Sequence, residues 1–143
     1  MKEANDLAGH MAVLVVDDEP LVRMFATDIL LEASFKVFET SSAAEAIQAL
    51  EVRSDIHAVL TDIEMPGEMN GLALAATIRE RWPCIAVLVT SGREHLSAAE
   101  LADGARFIPK PYAPSDLLIA IHSVISANQD YGDEPKVARL FPE

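Results

Sequence analysis

The sequence predicts an α/β protein: a five-stranded parallel sheet, doubly wound, with helices on both faces. Three observations carry that prediction. Five short apolar runs recur along the chain, at residues 12–16, 36–39, 58–61, 85–89 and 106–108. The first, third and fourth are almost unbroken runs of Ala, Val, Ile and Leu, the pattern of strands buried on both faces. Between the runs, apolar residues recur at three- and four-residue steps, the helical period. Strict alternation of strand and helix implies parallel strands joined by right-handed crossovers.

Each element has its own signals. The run at 12–16 is a central strand, whereas the weaker runs at 36–39 and 106–108 suit edge or near-edge positions. A first helix is expected over 20–33, with Leu21, Met24, Phe25, Ile29 and Leu31 giving its apolar spacing. Ser42 is placed to cap a second helix ending near Val52, with Glu45 three residues on in a capping-box pattern. A third helix is expected over 72–81, ended by Pro83. A fourth is expected over 94–103, stopped by Gly104. Ser115 is expected to cap a fifth over 116–127, with Asp116 near its positive end. The resulting division is an N-terminal extension at 1–10, one domain at 11–127 and a polar C-terminal tail at 128–143.

Composition limits the function. The 143 residues suit one domain, and 50% hydrophobic residues are enough for a packed core. Eleven Lys+Arg against 23 Asp+Glu, a net charge of −12, argue against nucleic-acid binding. The single cysteine, Cys84, has no internal disulfide partner and is expected in the core, in keeping with a reducing compartment. No run approaches the roughly 18 apolar residues that span a bilayer. A cytoplasmic protein is the expectation.

In an open parallel α/β sheet, ligands bind beyond the carboxyl ends of the strands. The residues there are Asp17 and Asp18 after the first strand, Asp62 at the end of the third, Thr90 after the fourth and Lys110 after the fifth. Any one of these has an ordinary explanation as a cap, a turn former or a solvated charge. Together they suit a divalent cation and a phosphoryl group. Clustered carboxylates repel unless a cation joins them, and Mg²⁺ favours oxygen ligands. Lys110 supplies positive charge and Thr90 a hydroxyl donor for an anionic oxygen.

Val15-Val16-Asp17-Asp18-Glu19-Pro20, Thr61-Asp62-Ile63-Glu64-Met65-Pro66-Gly67, Thr90-Ser91-Gly92 and Phe107-Ile108-Pro109-Lys110-Pro111 resemble the motifs of the response regulator receiver domain of two-component signalling. The resemblance covers about residues 11–127 and implies a flavodoxin-like (βα)₅ fold with strand order 2-1-3-4-5. It implies that Asp62 accepts a phosphoryl group from a kinase phosphohistidine. It implies Mg²⁺, or Mn²⁺ in its place, held by Asp17, Asp18, Asp62 and the backbone carbonyl of Glu64. Lys110 would bind the phosphoryl group, Thr90 would move to it, and Phe107 would turn inward in response. The changed surface would be the face of the fourth helix, fifth strand and fifth helix, and the Lys110-Pro111 bond would be cis. The implied partners are a sensor histidine kinase or phosphotransfer protein and a downstream protein target.

The chain departs from the family's usual pattern in two places: the segment from Asp62 to Gly71 is one residue longer, through Gly67 and Glu68, and Asn70 stands where an Asp is often seen before Gly71. Glu64 is placed to affect the acyl-phosphate lifetime, and Gly92 to leave one side of the pocket open to water. The expected class is a stand-alone receiver without a DNA-binding output domain, signalling through protein contacts and not acting as an enzyme on an external substrate. A partner or homodimer face on the fourth helix, fifth strand and fifth helix is a further expectation, formed by the part of the apolar side of Leu96, Ala99, Leu101, Ala102, Leu117, Leu118, Ile121 and Val124 that the core leaves over. Three alternatives fit less well. A haloacid-dehalogenase-type phosphatase needs Asp-x-Asp on the first strand. A flavodoxin-like cofactor binder needs a phosphate-cradling first loop where Asp17 and Asp18 stand. A degenerate receiver acting only as a docking module would not need the intact set of five.

Overall fold

A computed structural model of the chain describes residues 11–92, 101 and 104–140. Its strands are β1 (Ala12–Val16), β2 (Lys36–Thr40), β3 (Ala58–Asp62), β4 (Ala86–Ser91) and β5 (Arg106–Pro109). The helices are α1 (Pro20–Glu32), α2 (Ala43–Val52), α3 (Gly71–Arg81) and α4 (Pro114–Leu140). The helix expected over 94–103 and the extension at 1–10 lie outside the described residues.

All strand pairs are parallel, in the order β2-β1-β3-β4-β5. Alternate side chains of each strand enter opposite layers. Val13, Val15, Leu60 and Leu88 pack with Ile29, Leu30, Leu117 and Ile121 from α1 and α4. Leu14, Val16, Val59 and Val87 pack with Ala46, Leu50, Leu74 and Ile78 from α2 and α3. Burial on both faces explains the continuous apolar runs of β1, β3 and β4, whereas β2 at the edge is only partly covered.

Several local expectations change. In α1 the buried residues are Ala26, Thr27, Ile29 and Leu30, while Leu21, Met24, Phe25 and Leu31 are exposed. Ala26, Ile29 and Leu30 pack in the layer with Val13, Val15 and Leu60 of the sheet, which turns Leu21, Met24, Phe25 and Leu31 outward. Ser42 does cap α2, accepting from the Glu45 N–H at 3.2 Å. Glu45, however, reaches back to Ser41, accepting from its N–H at 2.8 Å and its hydroxyl at 3.0 Å, so the reciprocal bond is displaced by one residue. The first residue of α4 is Pro114, and Ala113 provides the carbonyl for the Leu117 N–H at 3.1 Å. Proline at the first helical position has no N–H to leave unsatisfied, so Ser115 is not required as a cap.

The expected break at Ala127 is absent, and α4 continues to Leu140. Asn128 is buried; its Oδ1 accepts from Arg79 Nη1 at 2.8 Å and its Nδ2 donates to the Pro83 carbonyl at 3.3 Å. Its polarity serves a cross-link between elements and does not mark a solvated tail. Cys84 is exposed, since the loop it occupies ends before β4 begins. Leu117, Ile121 and Val124 are buried and Leu118 is half-buried, so this part of the apolar side belongs to the core, as expected for much of it.

Candidate functional site

Register brings the functional residues together. Val16 pairs with Thr61, Asp62 with Thr90, and Ser91 with Pro109. Since adjacent strands lie about 4.8 Å apart, the residues that close or follow β1, β3, β4 and β5 form one row across the sheet end. That row is Asp17, Asp62, Thr90 and Lys110.

Each position is locally anchored. The Asp17 N–H donates to the Thr40 carbonyl at 3.2 Å, and Asp17 Oδ1 accepts from the Glu19 N–H at 3.0 Å. The Ile63 N–H donates to the Thr90 carbonyl at 2.9 Å, and the Lys110 N–H donates to the Ser91 carbonyl at 2.9 Å. Ser91 Oγ also donates to the Glu64 carboxylate at 2.6 Å. The end of β4 thus holds both the Asp62 loop and the Lys110 loop. Gly71, the first residue of α3, lies against Asp62: a Cβ there would fall onto the Asp62 carbonyl and come within 2.7 Å of Ile63 Cα. Only glycine permits that approach. Asn70 caps the same helix, accepting from the Ala73 N–H at 2.9 Å.

Asp17 and Asp62 are buried and Asp18 is half-buried. One oxygen from each of the three lies within 4.8 Å of the others. Lys110 Nζ is 3.3 Å from Asp62 Oδ1 and 3.5 Å from Asp17 Oδ2. The contact to Asp62 is close in charge but lacks hydrogen-bond geometry, and Asp62 Oδ1 is a buried acceptor without a hydrogen-bond partner. Thr90 Oγ1 is likewise buried and unpartnered. Such groups are costly to bury unless a ligand completes them. Burial pushes the Asp62 carboxyl up to about 6, against the pull of Lys110, and the charges of Asp17 and Glu64 add to the rise.

These residues fit a hard divalent cation. They offer three oxygen-bearing side chains in a partly dry pocket, with an unsatisfied carboxylate oxygen at its centre. Phe107 is half-buried, packs against the α2/α3 core layer and pairs in register with Val89, the residue before Thr90. The Lys110-Pro111 bond is cis. Gly92 is exposed, with open space where a side chain would stand. No described histidine takes part. His57 lies at the opposite end of β3, accepting from the Ala12 N–H at 3.2 Å, and His122 is exposed against Phe35.

The sequence profile of the response regulator receiver domain matches residues 13–122. The chain belongs to this family. Receiver domains of two-component systems accept a phosphoryl group, bind Mg²⁺ at an acidic pocket, and interact with histidine kinases or phosphotransfer proteins. This receiver domain is 40% identical over 108 residues to a protein-glutamate methylesterase/protein-glutamine glutaminase of Archaeoglobus fulgidus, covering 71% of the chain and 30% of the relative. It is 32% identical over 129 residues to the sensor kinase CckA of Brucella abortus, covering 87% of the chain and 14% of the relative. The chain therefore spans well under half the length of either curated relative. Among solved structures, a response regulator receiver protein from Sinorhizobium medicae superposes with a TM-score of 0.77 at 28% identity, covering 82% of this chain and 96% of that one.

Four features of the receiver site were not assigned from sequence. Gly71 and Ser91 act through backbone proximity and register, which carry no periodic signal. Arg23 donates to the Asp17 carbonyl at 2.7 Å, although in sequence it is only a charge in an amphipathic helix. Tyr112 is close enough to the pocket for Asp17 and Asp62, after burial itself, to help push its hydroxyl up to about 12. Its position two residues after Lys110 was the available hint.

Proposed function

We propose that this receiver takes a phosphoryl group from the phosphohistidine of a sensor kinase or phosphotransfer protein onto Asp62, in the cytoplasm, and passes the change on through protein contacts. The observation that carries the reading is the buried, unsatisfied Asp62 Oδ1 in a cluster with Asp17 and Asp18 and beside Lys110. A carboxylate oxygen of Asp62 attacks phosphorus in line. The P–N bond breaks, its electron pair returns to the imidazole nitrogen of the donor, and an acyl phosphate remains on Asp62. The raised carboxyl is still mainly ionised at pH 7 and so available as a nucleophile. Asp17, Asp18, Asp62 and the Glu64 carbonyl would hold Mg²⁺, which when bound neutralises charge on the phosphoryl oxygens. Lys110 binds a phosphoryl oxygen from the β5 side, and the Thr90 hydroxyl donates to another. Movement of Thr90 frees space into which Phe107, beside Val89, turns.

The chain acts as a phosphoacceptor that catalyses its own phosphorylation and dephosphorylation, not as an enzyme with an external substrate. The donor protein docks on α1, where the exposed Leu21 and Phe25 share a hollow with Lys110. Phe25 and Tyr112 stack with ring centroids 5.9 Å apart, and Leu21, Val22, Phe25, Pro111 and Tyr112 with Lys110 line an apolar hollow of about 330 Å³. A helix presenting a phosphohistidine from an apolar face would cover this patch and bring the histidine to Asp62.

Incubation with Mg²⁺ and a small acyl-phosphate donor should add the mass of one phosphoryl group to the intact protein. Labelling that survives D62N would overturn the assignment. Absence of labelling in the native protein would leave a docking module.

A further inference from the structure

The loop that carries Asp17 and Asp18 is short, and both carboxylates are aimed by its backbone. Arg23, one turn into α1, closes that loop from outside. Its Nη1 donates to the Asp17 carbonyl at 2.7 Å, its Nε donates to Glu39 Oε1 at 2.9 Å, and its own N–H donates to the Glu19 carbonyl at 2.9 Å. The guanidinium is mostly covered, with 21% of its side chain exposed. Asp17 is therefore fixed through its N–H by β2, through its carboxylate by Glu19 and through its carbonyl by Arg23.

A positive group beside a cation site would be expected to weaken it. Here the fork of the guanidinium is used in a particular way. One arm grips the backbone of the acid pair, while the other is paired with Glu39, which offsets its charge. From this geometry we infer that Arg23 is a positioning residue for the divalent cation: it sets the direction of the Asp17 and Asp18 carboxylates, and Glu39 keeps its charge from opposing the ion. The inference rests on the reading of the acidic pocket as a Mg²⁺ site. The alternative is an ordinary surface ion pair, which would affect folding slightly and metal affinity not at all.

The test titrates Mn²⁺ into unphosphorylated protein, following loss of the free-ion EPR signal, with Mg²⁺ as competitor. R23A should bind about 10-fold more weakly, the lower end of the loss seen when an outer partner of a metal ligand is removed. R23K should fall between R23A and the native protein, because an ammonium lacks the rigid fork that serves two acceptors at once. E39Q should cause a smaller loss, about twofold, that shrinks as salt is raised. With the small phosphodonor, R23A should regain the native maximal rate at high Mg²⁺, a shift in metal dependence that a purely structural role would not produce. If the native protein binds the ion and R23A and R23K match it, the inference is overturned while the pocket reading stands. If the native protein binds no divalent ion, the pocket reading fails and takes this inference with it. Should circular dichroism show R23A unfolded, R23K decides by the same criterion.

Discussion

The two ends of the sheet use the same residue types in opposite ways. At the amino end, Arg53 pairs with Asp55 and Arg81 with Glu51, each at 2.9 Å, with at least 40% of every side chain exposed. Arg53 also lies over Phe38 at 3.9 Å and Arg81 over Trp82 at 4.3 Å. At the carboxyl end, Lys110 faces two buried carboxylates at 3.3 and 3.5 Å, and buried oxygens there go unpartnered. The exposed pairs have good geometry, whereas Asp62 Oδ1 and Thr90 Oγ1 are buried without a hydrogen-bond partner. Water makes the first set of pairs nearly neutral in energy. The second set holds charge in a state that a cation and a phosphoryl group would complete, so a short distance alone does not rank an ion pair: Arg23–Glu39, also 2.9 Å, lies at the carboxyl end.

The contrast is broken most severely by removing Lys110, the cation that faces both buried carboxylates. K110A should slow phosphorylation by a small donor by about 10²-fold or more, the usual cost of losing a preorganised group that stabilises transition-state charge. Initial rates of mass gain at saturating Mg²⁺ measure this.

The next effect is on stability. Asp62 has its folded pKa raised from 3.8 to about 6. The folded state therefore holds this proton more tightly than the unfolded chain. The associated stabilisation is complete below about pH 3.8 and is lost as pH rises through about 6. Without divalent ions, D62N should then be more stable than the native protein above pH 7, by roughly 2–3 kcal/mol for a shift of about two units. The advantage should shrink towards pH 4. Denaturant melts in EDTA across that range would expose a wrong sign directly.

G71A comes third. Its methyl group would be forced onto the backbone of Asp62, and overpacking of this kind costs about 1–3 kcal/mol. Phosphorylation should suffer along with stability, which thermal melts and donor labelling would separate. Smallest of all, R81A should change stability by less than about 1 kcal/mol and labelling not at all, despite removing a 2.9 Å ion pair.

This contrast also explains what was legible in the sequence. The sheet was readable because burial on both faces forces continuous apolar runs such as 58–61, and the strand order followed from family resemblance, since alternation alone does not fix it. Asp17, Asp18, Asp62, Thr90 and Lys110 were readable because a parallel sheet gathers strand ends at one edge. The face of α1 was not. Helical spacing places apolar residues on a stripe but does not say which stripe meets the sheet, and here Ala26, Ile29 and Leu30 won over Met24 and Phe25. Asn128 was misread because polarity suggests solvent unless a partner such as Arg79, distant in sequence, is known. Gly71 works through close approach, Arg23 through a main-chain carbonyl, and Ser91 through its own carbonyl and a hydroxyl donated to Glu64, partners that side-chain identity alone does not announce.

The loop from Ile63 to Gly71 is closed on itself. The Ile63 N–H is held by the Thr90 carbonyl at 2.9 Å, and the Gly71 N–H returns to the Ile63 carbonyl at 3.0 Å. Gly67, with φ of +107°, and Glu68 lie on its exposed arc. A noose tied at its neck can be lengthened without moving the knot. The extra residue expected at Gly67-Glu68 would fall in the arc, away from the tie, so the outline shown to a visiting protein could change while the Asp62 carboxylate stays where it is. Partner choice and chemistry could thus vary independently within a few residues of each other.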